Sequence, residues 1–403
     1  MSHPTLHQEL TADTISPQKT GKFAFLSLAV GIVGLIASFL LAWMGGEEGQ
    51  KQFAYSWLFA VLYFFSLTVG SLFWVLVHHA TDAEWTVVVR RQLENVAVLT
   101  PLVGLFFFAG IICFAPLLYS WWTMAPGSDE LLDHKSLYLN HTGFYVRAIL
   151  YFVGLSGLAF LIRRHSVRQD ETGASIHTVR SRVLSFAGIP ILALSLTFAA
   201  VDWIMALEYT WFSTMWGVYI FAGGVGAAMA LLVLIVTALK KAGHLKMVNI
   251  EHYHVMGKFM LTFCIFWAYI GFSQYMLIWY ANIPEETSFF IRRNTESWWY
   301  FTLALVIGRF FLPFPILLFQ ATKKNPKWLC IVAGWMIAMQ ALDLYVLILP
   351  MLHQTGANLA WLDLTNLLAV GGIVAAAFFW ILPKSSLFPV KDPRIEHSTH
   401  FSN

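Results

Sequence analysis

Long apolar runs recur along nearly the whole chain, and short polar segments separate them. Each run reaches roughly 18 residues or more, which is the length that a helix needs to cross about 30 Å of hydrocarbon. The runs are continuous and lack the two-residue alternation of barrel strands, so the pattern predicts helices. The predicted spans are 23–43, 55–77, 96–119, 145–162, 184–206, 213–239, 254–281, 298–320, 327–349 and 361–382.

This pattern predicts an all-α polytopic membrane protein with about ten transmembrane helices. Spans 2–5 and 6–9 resemble each other weakly. In each set a His-containing loop leads into the second helix, and the fourth helix carries an acid, Asp202 or Asp343. We therefore predict two four-helix bundles, at about 55–206 and 213–349, with one helix added on each side. This membrane domain, 23–382, would lie between two solvated tails, 1–22 and 383–403.

Composition and charge agree with a membrane protein and give it an orientation. The chain is 58% hydrophobic and 12% charged, whereas an average soluble domain is about 25% charged. Most of the 25 Lys and Arg residues lie in the tails and in the loops after the even-numbered spans. The positive-inside rule then predicts cytoplasmic N- and C-termini. The net charge of +3 reflects this bias in the loops and does not indicate nucleic-acid binding.

The sequence contains few residues that could serve as ligands for a redox cofactor. Haem b in a membrane needs His ligands that project inward from facing helices, but the 14 His residues lie in tails, loops or span ends. Cys113, Cys264 and Cys330 fall within separate spans and are interpreted as packing residues. We expect neither a metal site nor a covalently bound cofactor nor a redox centre in this chain. The pattern leaves open whether the chain is part of an enzyme.

Three ionisable residues interrupt the apolar runs: Asp202, Arg309 and Asp343. A charge in hydrocarbon costs at least a few kcal/mol unless it is paired or hydrated. Proteins that keep such residues commonly move protons, ions or a polar ligand within the membrane. The working hypothesis is a proton path with Arg309 near the middle of the membrane and the two acids in its outer third.

Further polar residues extend this candidate path toward both membrane faces. Histidines and carboxylates suit a proton path because burial and neighbouring charges bring their pKa values toward neutrality. Simpler interpretations remain open: interfacial histidines, a snorkelling lysine, and a structural salt bridge from Arg309 to one of the two acids. The additional candidates are His78, His79, His254 and Lys258 on the cytoplasmic side, and Glu208, Gln274 and Tyr275 on the outer side.

Three segments carry a resemblance to a known family: VDWIMALEYTWFSTMWGVY, HYHVMGKFMLTFCIFWAYIGFSQYMLIWYANIPEET and IGRFFLPF. They resemble the NrfD/polysulfide-reductase-type membrane subunits of alternative complex III, and the resemblance covers roughly residues 25–385. The chain is more similar to the shorter of the two such subunits. It departs from the family pattern at Val255 and Met256, where an acid is common, and at Arg309, where a His is common.

The resemblance implies a place in a bacterial respiratory complex. That complex would be a quinol:cytochrome c oxidoreductase, or one with another electron acceptor, in the inner membrane. A sister NrfD-like subunit, an iron–sulfur subunit and a haem c subunit would be the partners. Quinol or quinone would be the ligand if this chain binds one. By position, Asp202, Asp343, His78, His79, His254 and Lys258 match polar sites of the family.

Two other functions fit the same sequence. The chain could be a structural anchor without a proton role, which holds peripheral subunits through two long outer loops, 121–144 and 281–298. It could instead be a secondary transporter with helices broken near Gly188–Pro190 and Leu312–Pro315. Neutralising Asp202 separates the proton path from the anchor, because a proton path would lose pumping stoichiometry whereas an anchor would lose only assembly.

Overall fold

A computed structural model describes residues 11–402, and ten of its helical segments are long and apolar enough to span a membrane. This confirms the predicted all-α polytopic fold. Residues 1–10 of the predicted N-terminal tail lie outside the described residues. The helices are α1 (Pro17–Met44), α2 (Gly46–Ala80), α3 (Val87–Ala97), α4 (Thr100–Leu118), α5 (Glu130–Lys135), α6 (His141–Thr172), α7 (Ile176–Trp203), α8 (Trp216–Lys241), α9 (Ile250–Ala281), α10 (Pro284–Arg293), α11 (Trp298–Val306), α12 (Pro313–Leu318), α13 (Gln320–Lys324), α14 (Pro326–Ile348), α15 (Trp361–Ile381) and α16 (Ile395–Thr399).

Two of the spanning segments contain more than one α-helix. The third span consists of α3 and α4, and the eighth consists of α11, a π-helical turn at Ile307–Phe311 and α12. α5 and α10 are short helices inside the two long outer loops. We call the side on which α1 begins and α2 ends the terminal face, and the other side the opposite face.

The centre of the protein is the contact between α2 and α8. Their most apolar stretches are 83% and 78% buried, more than those of the other spanning helices. The two helices meet where Gly70 faces Gly224, and a Cβ added to Gly70 would lie 2.4 Å from the carbonyl oxygen of Gly224. Small residues at such a crossing let two backbones approach closely in a membrane protein. α7 packs against both central helices, and α14 does the same.

The first and last spanning helices form a peripheral pair. α1 packs along α15 through small residues, with Gly31 against Gly372 and Gly34 against Ala369. Both helices also contact α2. The apolar stretch of α1 is only 17% buried, which leaves most of its surface facing outward.

The C-terminal segment differs from the solvated tail that the sequence predicts. Leu387 and Phe388 are fully buried, and the Leu387 N–H donates to the Asp13 carbonyl oxygen at 2.8 Å. Further along, Asp392 is buried against Arg90 of α3, at 2.9 Å. The segment therefore folds back under the terminal face, because it brings both apolar side chains and an ion-pair partner to the bundle.

Candidate functional site

The most deeply buried charges of the eighth and ninth spans form one cluster. Arg309 Nη1 lies 3.0 Å from Asp343 Oδ2. The Tyr219 hydroxyl of α8 donates to Asp343 Oδ1 at 2.6 Å, and Trp267 Nε1 of α9 donates to Oδ2 at 3.1 Å. The guanidinium also lies 4.6 Å from the centre of the Trp267 ring. The carboxylate thus has a cation and two donors, the arrangement that a buried charge requires.

Arg309 reaches this position from the π-helical turn. The Leu312 N–H bonds to the Ile307 carbonyl oxygen at 2.8 Å, five residues back, and Pro313, which has no N–H, follows directly. Such turns leave neighbouring carbonyl groups available. The carbonyl oxygen of Gly308 accepts from Trp335 at 2.6 Å, and that of Arg309 accepts from Cys264 at 3.3 Å.

Asp202 has a different cation partner, which the sequence interpretation missed. Arg147 Nε and Nη2 each donate to Asp202 at 2.9 Å, and the Tyr151 hydroxyl donates at 2.9 Å as well. The Arg147 guanidinium lies 3.9 Å from the centre of the Tyr138 ring. α6 begins at His141, which places Arg147 in the second helical turn.

The two acids consequently have equivalent surroundings. Each lies on the helix that follows its arginine's membrane span: Arg147 on α6 precedes Asp202 on α7, and Arg309 precedes Asp343 on α14. Each carboxylate also accepts from a tyrosine hydroxyl. The salt bridge from Arg309 to one of the two acids, which the sequence left open, is present in the structure. Arg309 lies beside Asp343, because the π-helical turn faces α14 at that level.

A large cavity adjoins the Asp343 cluster. Its volume is about 610 Å³, and Tyr219 and Trp267, the two donors to Asp343, form part of its wall. Phe289 and Arg293 of α10 line another part, so this short helix covers the cavity toward the opposite face. The other lining residues are Trp216, Ile265, Ala268, Tyr269, Gly271, Phe272, Gln274, Tyr275, Phe290, Asn294, Trp299, Thr302, Leu303, Leu305, Val306, Phe310, Phe311, Val346 and Leu347.

Predicted candidates occur in and beside this cavity. Gln274 is buried and accepts from the Ser213 hydroxyl at 3.1 Å, whereas Tyr275 is 41% exposed. Glu208 lies near the cavity's cover: its Oε1 is 2.9 Å from Arg292, and its Oε2 is 4.0 Å from Arg293. Gln274 and Tyr275 therefore contact the cavity directly, and Glu208 holds α10 in place.

Arg293 is a cationic group of the cavity wall that the sequence interpretation missed. Its guanidinium donates to the carbonyl oxygens of Val346 and Leu347, at 3.0 and 2.7 Å, and stacks over the Phe289 ring at 3.4 Å. Burial lowers the pKa of Arg293 to about 9, although Glu208 acts in the opposite direction. In the sequence, the only signal for this cation is the Arg292–Arg293 pair within the second long outer loop. Such pairs are also typical of solvated loops.

The histidines predicted for the terminal face divide into two groups. His78 and His79 are each 2% exposed, and none of their four ring nitrogens has a hydrogen-bond partner among the described residues. The His78 ring lies 5.4 Å from that of Trp85, which in turn stacks on Phe259 of α9. Buried polar atoms without protein partners are commonly satisfied by water.

The second group lies at the start of α9. His254 Nδ1 is 3.4 Å from Glu251, which is also 2.7 Å from Lys324. Lys258 is one turn further along and partly exposed. His254 and Lys258 lie in the N-terminal part of α9, and the Trp85 ring lies between Phe259 of that helix and the His78 ring.

A further buried acid on the opposite face was not predicted. Asp363, at the start of α15, accepts from Ser56 at 2.5 Å and from Gln52 at 3.0 Å. His353 Nε2 lies 2.6 Å from Gln52 Oε1. In the sequence, Asp363 is an acid in the first turn of the last apolar run, and acids in this position are also common as helix caps. The structure shows such a capping contact, because the Asp363 carboxylate accepts from the Ala360 N–H.

Charged residues at the terminal face form a buried network. Asp392 lies 2.9 Å from Arg90 and 2.8 Å from Arg394, and Glu94 lies 3.0 Å from Arg90. Burial alone would raise the pKa of Asp392, but the charges of Arg90 and Arg394 outweigh it and hold the pKa well below its usual range. This network fastens the C-terminal segment next to His78 and His79.

Comparison of the chain with protein-family models and with curated proteins gives no match. Within residues 11–402, no three His, Cys, Asp or Glu side chains come together in a geometry that suits a metal ion.

Proposed function

We propose that this chain is an integral membrane subunit of a quinol-oxidising respiratory complex of the alternative complex III type. In this proposal it contributes a transmembrane proton path and a cavity for the quinol ring. The terminal face is the cytoplasmic one, and the membrane is the bacterial inner membrane. The electrons of the quinol pass to redox centres in iron–sulfur and haem c subunits, beside a sister NrfD-like subunit.

The observation that carries this proposal is the contact between the large cavity and the Asp343 cluster. A quinol has an apolar tail and a ring with two hydroxyl groups, so it requires an apolar cavity with a few polar groups. The cavity offers aromatic walls, which include the Tyr219 ring, together with the side chains of Gln274 and Arg293. When a quinol is oxidised, it releases two electrons and two protons, and Tyr219 links the cavity to a carboxylate that accepts a proton.

The surroundings of Arg309 suit a carboxylate that changes its charge. If Asp343 takes a proton, Arg309 loses its counterion, and a buried unpaired cation is costly. Arg309 keeps two other acceptors, however: the Met339 carbonyl oxygen at 3.1 Å and the side-chain oxygen of Gln340. These hydrogen bonds reduce the cost of the protonated state and allow Asp343 to exchange protons.

His78 and His79 supply the cytoplasmic half of the path in this proposal. Their ring nitrogens are free of protein partners among residues 11–402, and water in contact with them would connect them to bulk solvent. The Asp202–Arg147 pair occupies the equivalent position in the first half of the chain. It supplies a second carboxylate for proton release at the opposite face.

The proposed cavity is tested by filling it. Ala268→Phe adds a ring to the cavity wall, and we expect it to raise the KM for quinol of the intact complex while the haem and iron–sulfur content stays normal. Gly157→Phe is the matched control, because a Cβ added at Gly157 would meet no atom within 4 Å. Unchanged quinol kinetics in Ala268→Phe would exclude quinol from this cavity and leave the anchor function as the better one.

A further inference from the structure

The α6–α7 hairpin carries a group of arginines at the terminal face. Two of them, Arg164 and Arg168, lie one turn apart on α6, and Arg180 lies in the second turn of α7. All three side chains are exposed, and none has an acidic partner in the described part of the chain. We call these three residues the hairpin arginines.

The hairpin arginines converge on a pair of histidines. The Nδ1 atoms of His165 and His177 lie 3.1 Å apart across the two helices. Arg164 and Arg168 lie on either side of His165 along α6, Arg180 lies one turn after His177 on α7, and the charges of all three act on the His165 ring. The result is a concentrated positive charge without a counterion of its own.

Neighbouring arginines of the same hairpin behave differently. Arg182 pairs with Asp82 at 2.5 Å, and Arg163 donates to Asn95 at 3.0 Å. The protein therefore provides partners for arginines that serve packing, and leaves the hairpin arginines unpaired. Dispersed charges would be enough to satisfy the positive-inside rule. The close grouping of the hairpin arginines therefore indicates an anionic ligand.

The surface beside the hairpin arginines is apolar on the side toward the membrane. Phe160 lies one turn before Arg164 on α6 and is 55% exposed, and Val183 lies one turn after Arg180 on α7 and is 62% exposed. Leu161 and Phe186 extend this exposed apolar surface. Cations at the membrane boundary above apolar side chains match a molecule with an anionic head and acyl chains.

We propose that the α6–α7 hairpin binds an anionic phospholipid with two phosphate groups, of the cardiolipin type, on the terminal face. The planar guanidinium groups suit phosphate oxygens, because each can form two parallel hydrogen bonds. Three convergent arginines favour a head group with two phosphates over one with a single phosphate. The acyl chains lie along the exposed apolar side chains of α6 and α7. This site is separate from the cavity and from the proposed proton path.

The test measures lipid binding by native mass spectrometry on the protein in mild detergent, with the subunits that copurify. The variant is Arg164→Gln/Arg168→Gln/Arg180→Gln. The matched control, Lys19→Gln/Lys22→Gln/Lys241→Gln, removes three exposed cations from the same face. The probes are tetraoleoyl cardiolipin, dioleoyl phosphatidylglycerol and inorganic phosphate.

We expect wild type and the lysine control to retain cardiolipin, and the arginine variant to bind it roughly tenfold more weakly or worse. Replacing the three arginines by lysine keeps the charge and should restore only part of the affinity. Equal losses in the arginine variant and the lysine control would overturn the proposal, because bulk charge would then explain the binding. It would also be overturned if the arginine variant kept its cardiolipin but lost a copurifying subunit, or if inorganic phosphate competed fully with the lipid.

Discussion

Arg309 Nη1 and Asp343 Oδ2 form a buried ion pair, 3.0 Å apart, between the eighth and ninth membrane spans. The side chains are 8% and 3% exposed, so water screens the pair little. Burying two charges is costly, and replacing such a pair by apolar residues is often neutral or stabilising. The pair is therefore better explained by a role in function than by a contribution to stability.

This relationship predicts a characteristic pattern of stability in a double-mutant cycle. Asp343→Leu alone leaves Arg309 buried without a counterion, and we expect it to lower the free energy of unfolding by roughly 3–5 kcal/mol. Arg309→Met/Asp343→Leu removes both charges and should recover most of that loss. Denaturation of the detergent-solubilised protein measures both values. A double variant less stable than Asp343→Leu would show that the pair itself stabilises the fold.

The crossing of the two central helices predicts a strong dependence on side-chain size. Gly70→Ala places a methyl group against the Gly224 carbonyl oxygen, and we expect a loss of about 1–3 kcal/mol because the helices must separate. Gly157→Ala makes the same chemical change on α6 where nothing lies within 4 Å. It should be neutral or stabilising by up to about 1 kcal/mol. Similar melting temperatures for the two variants would contradict the close crossing.

The buried carboxyl of Asp392 predicts a pH dependence of stability. Its pKa in the folded protein lies below the value of about 3.9 in an unfolded chain. Its stabilising contribution is thus complete above about pH 5 and is lost as the pH falls below that range. Asp392→Asn should lower the melting temperature at pH 7, and the difference from wild type should shrink toward pH 3.

The matched control for Asp392 is Glu48→Gln, an exposed acid at the start of α2. We expect its melting curve to follow wild type at every pH, because the side chain has no ion-pair partner among the described residues. Thermal unfolding in detergent between pH 3 and pH 7 measures both variants. A constant difference between Asp392→Asn and wild type over this range would contradict the ion-pair explanation.

His78 offers a way to separate stability from proton transfer. His78→Phe keeps an aromatic ring of similar size and removes two nitrogens that have no protein partner within residues 11–402. Replacing such a group by an apolar one is neutral or stabilising. We therefore expect unchanged or higher thermal stability together with slower proton uptake from the terminal face during quinol turnover. His397→Phe, on an exposed residue of the same face, is the control.

Hydrophobic patterning predicts the helices well because span length and apolar content are local properties. It also locates Asp202 and Asp343, since a charge in an apolar run is conspicuous. Their partners were harder to predict: Arg147 sits near a helix end, where arginine is common, and Arg309 faces Asp343 only because Pro313 and the π-helical turn reorient that segment. The docking of the C-terminal segment depends on contacts of Leu387 and Asp392 with distant residues, which no local pattern contains.

The central claim is that protons pass through this chain by way of Asp343. The most direct measurement is the number of protons released per electron by the intact complex in proteoliposomes, for wild type and Asp343→Asn, at matched quinol turnover. The asparagine keeps the shape of the side chain but cannot bind and release a proton. The account predicts fewer protons per electron while turnover and subunit content are retained. An unchanged ratio in a normally assembled complex would contradict it.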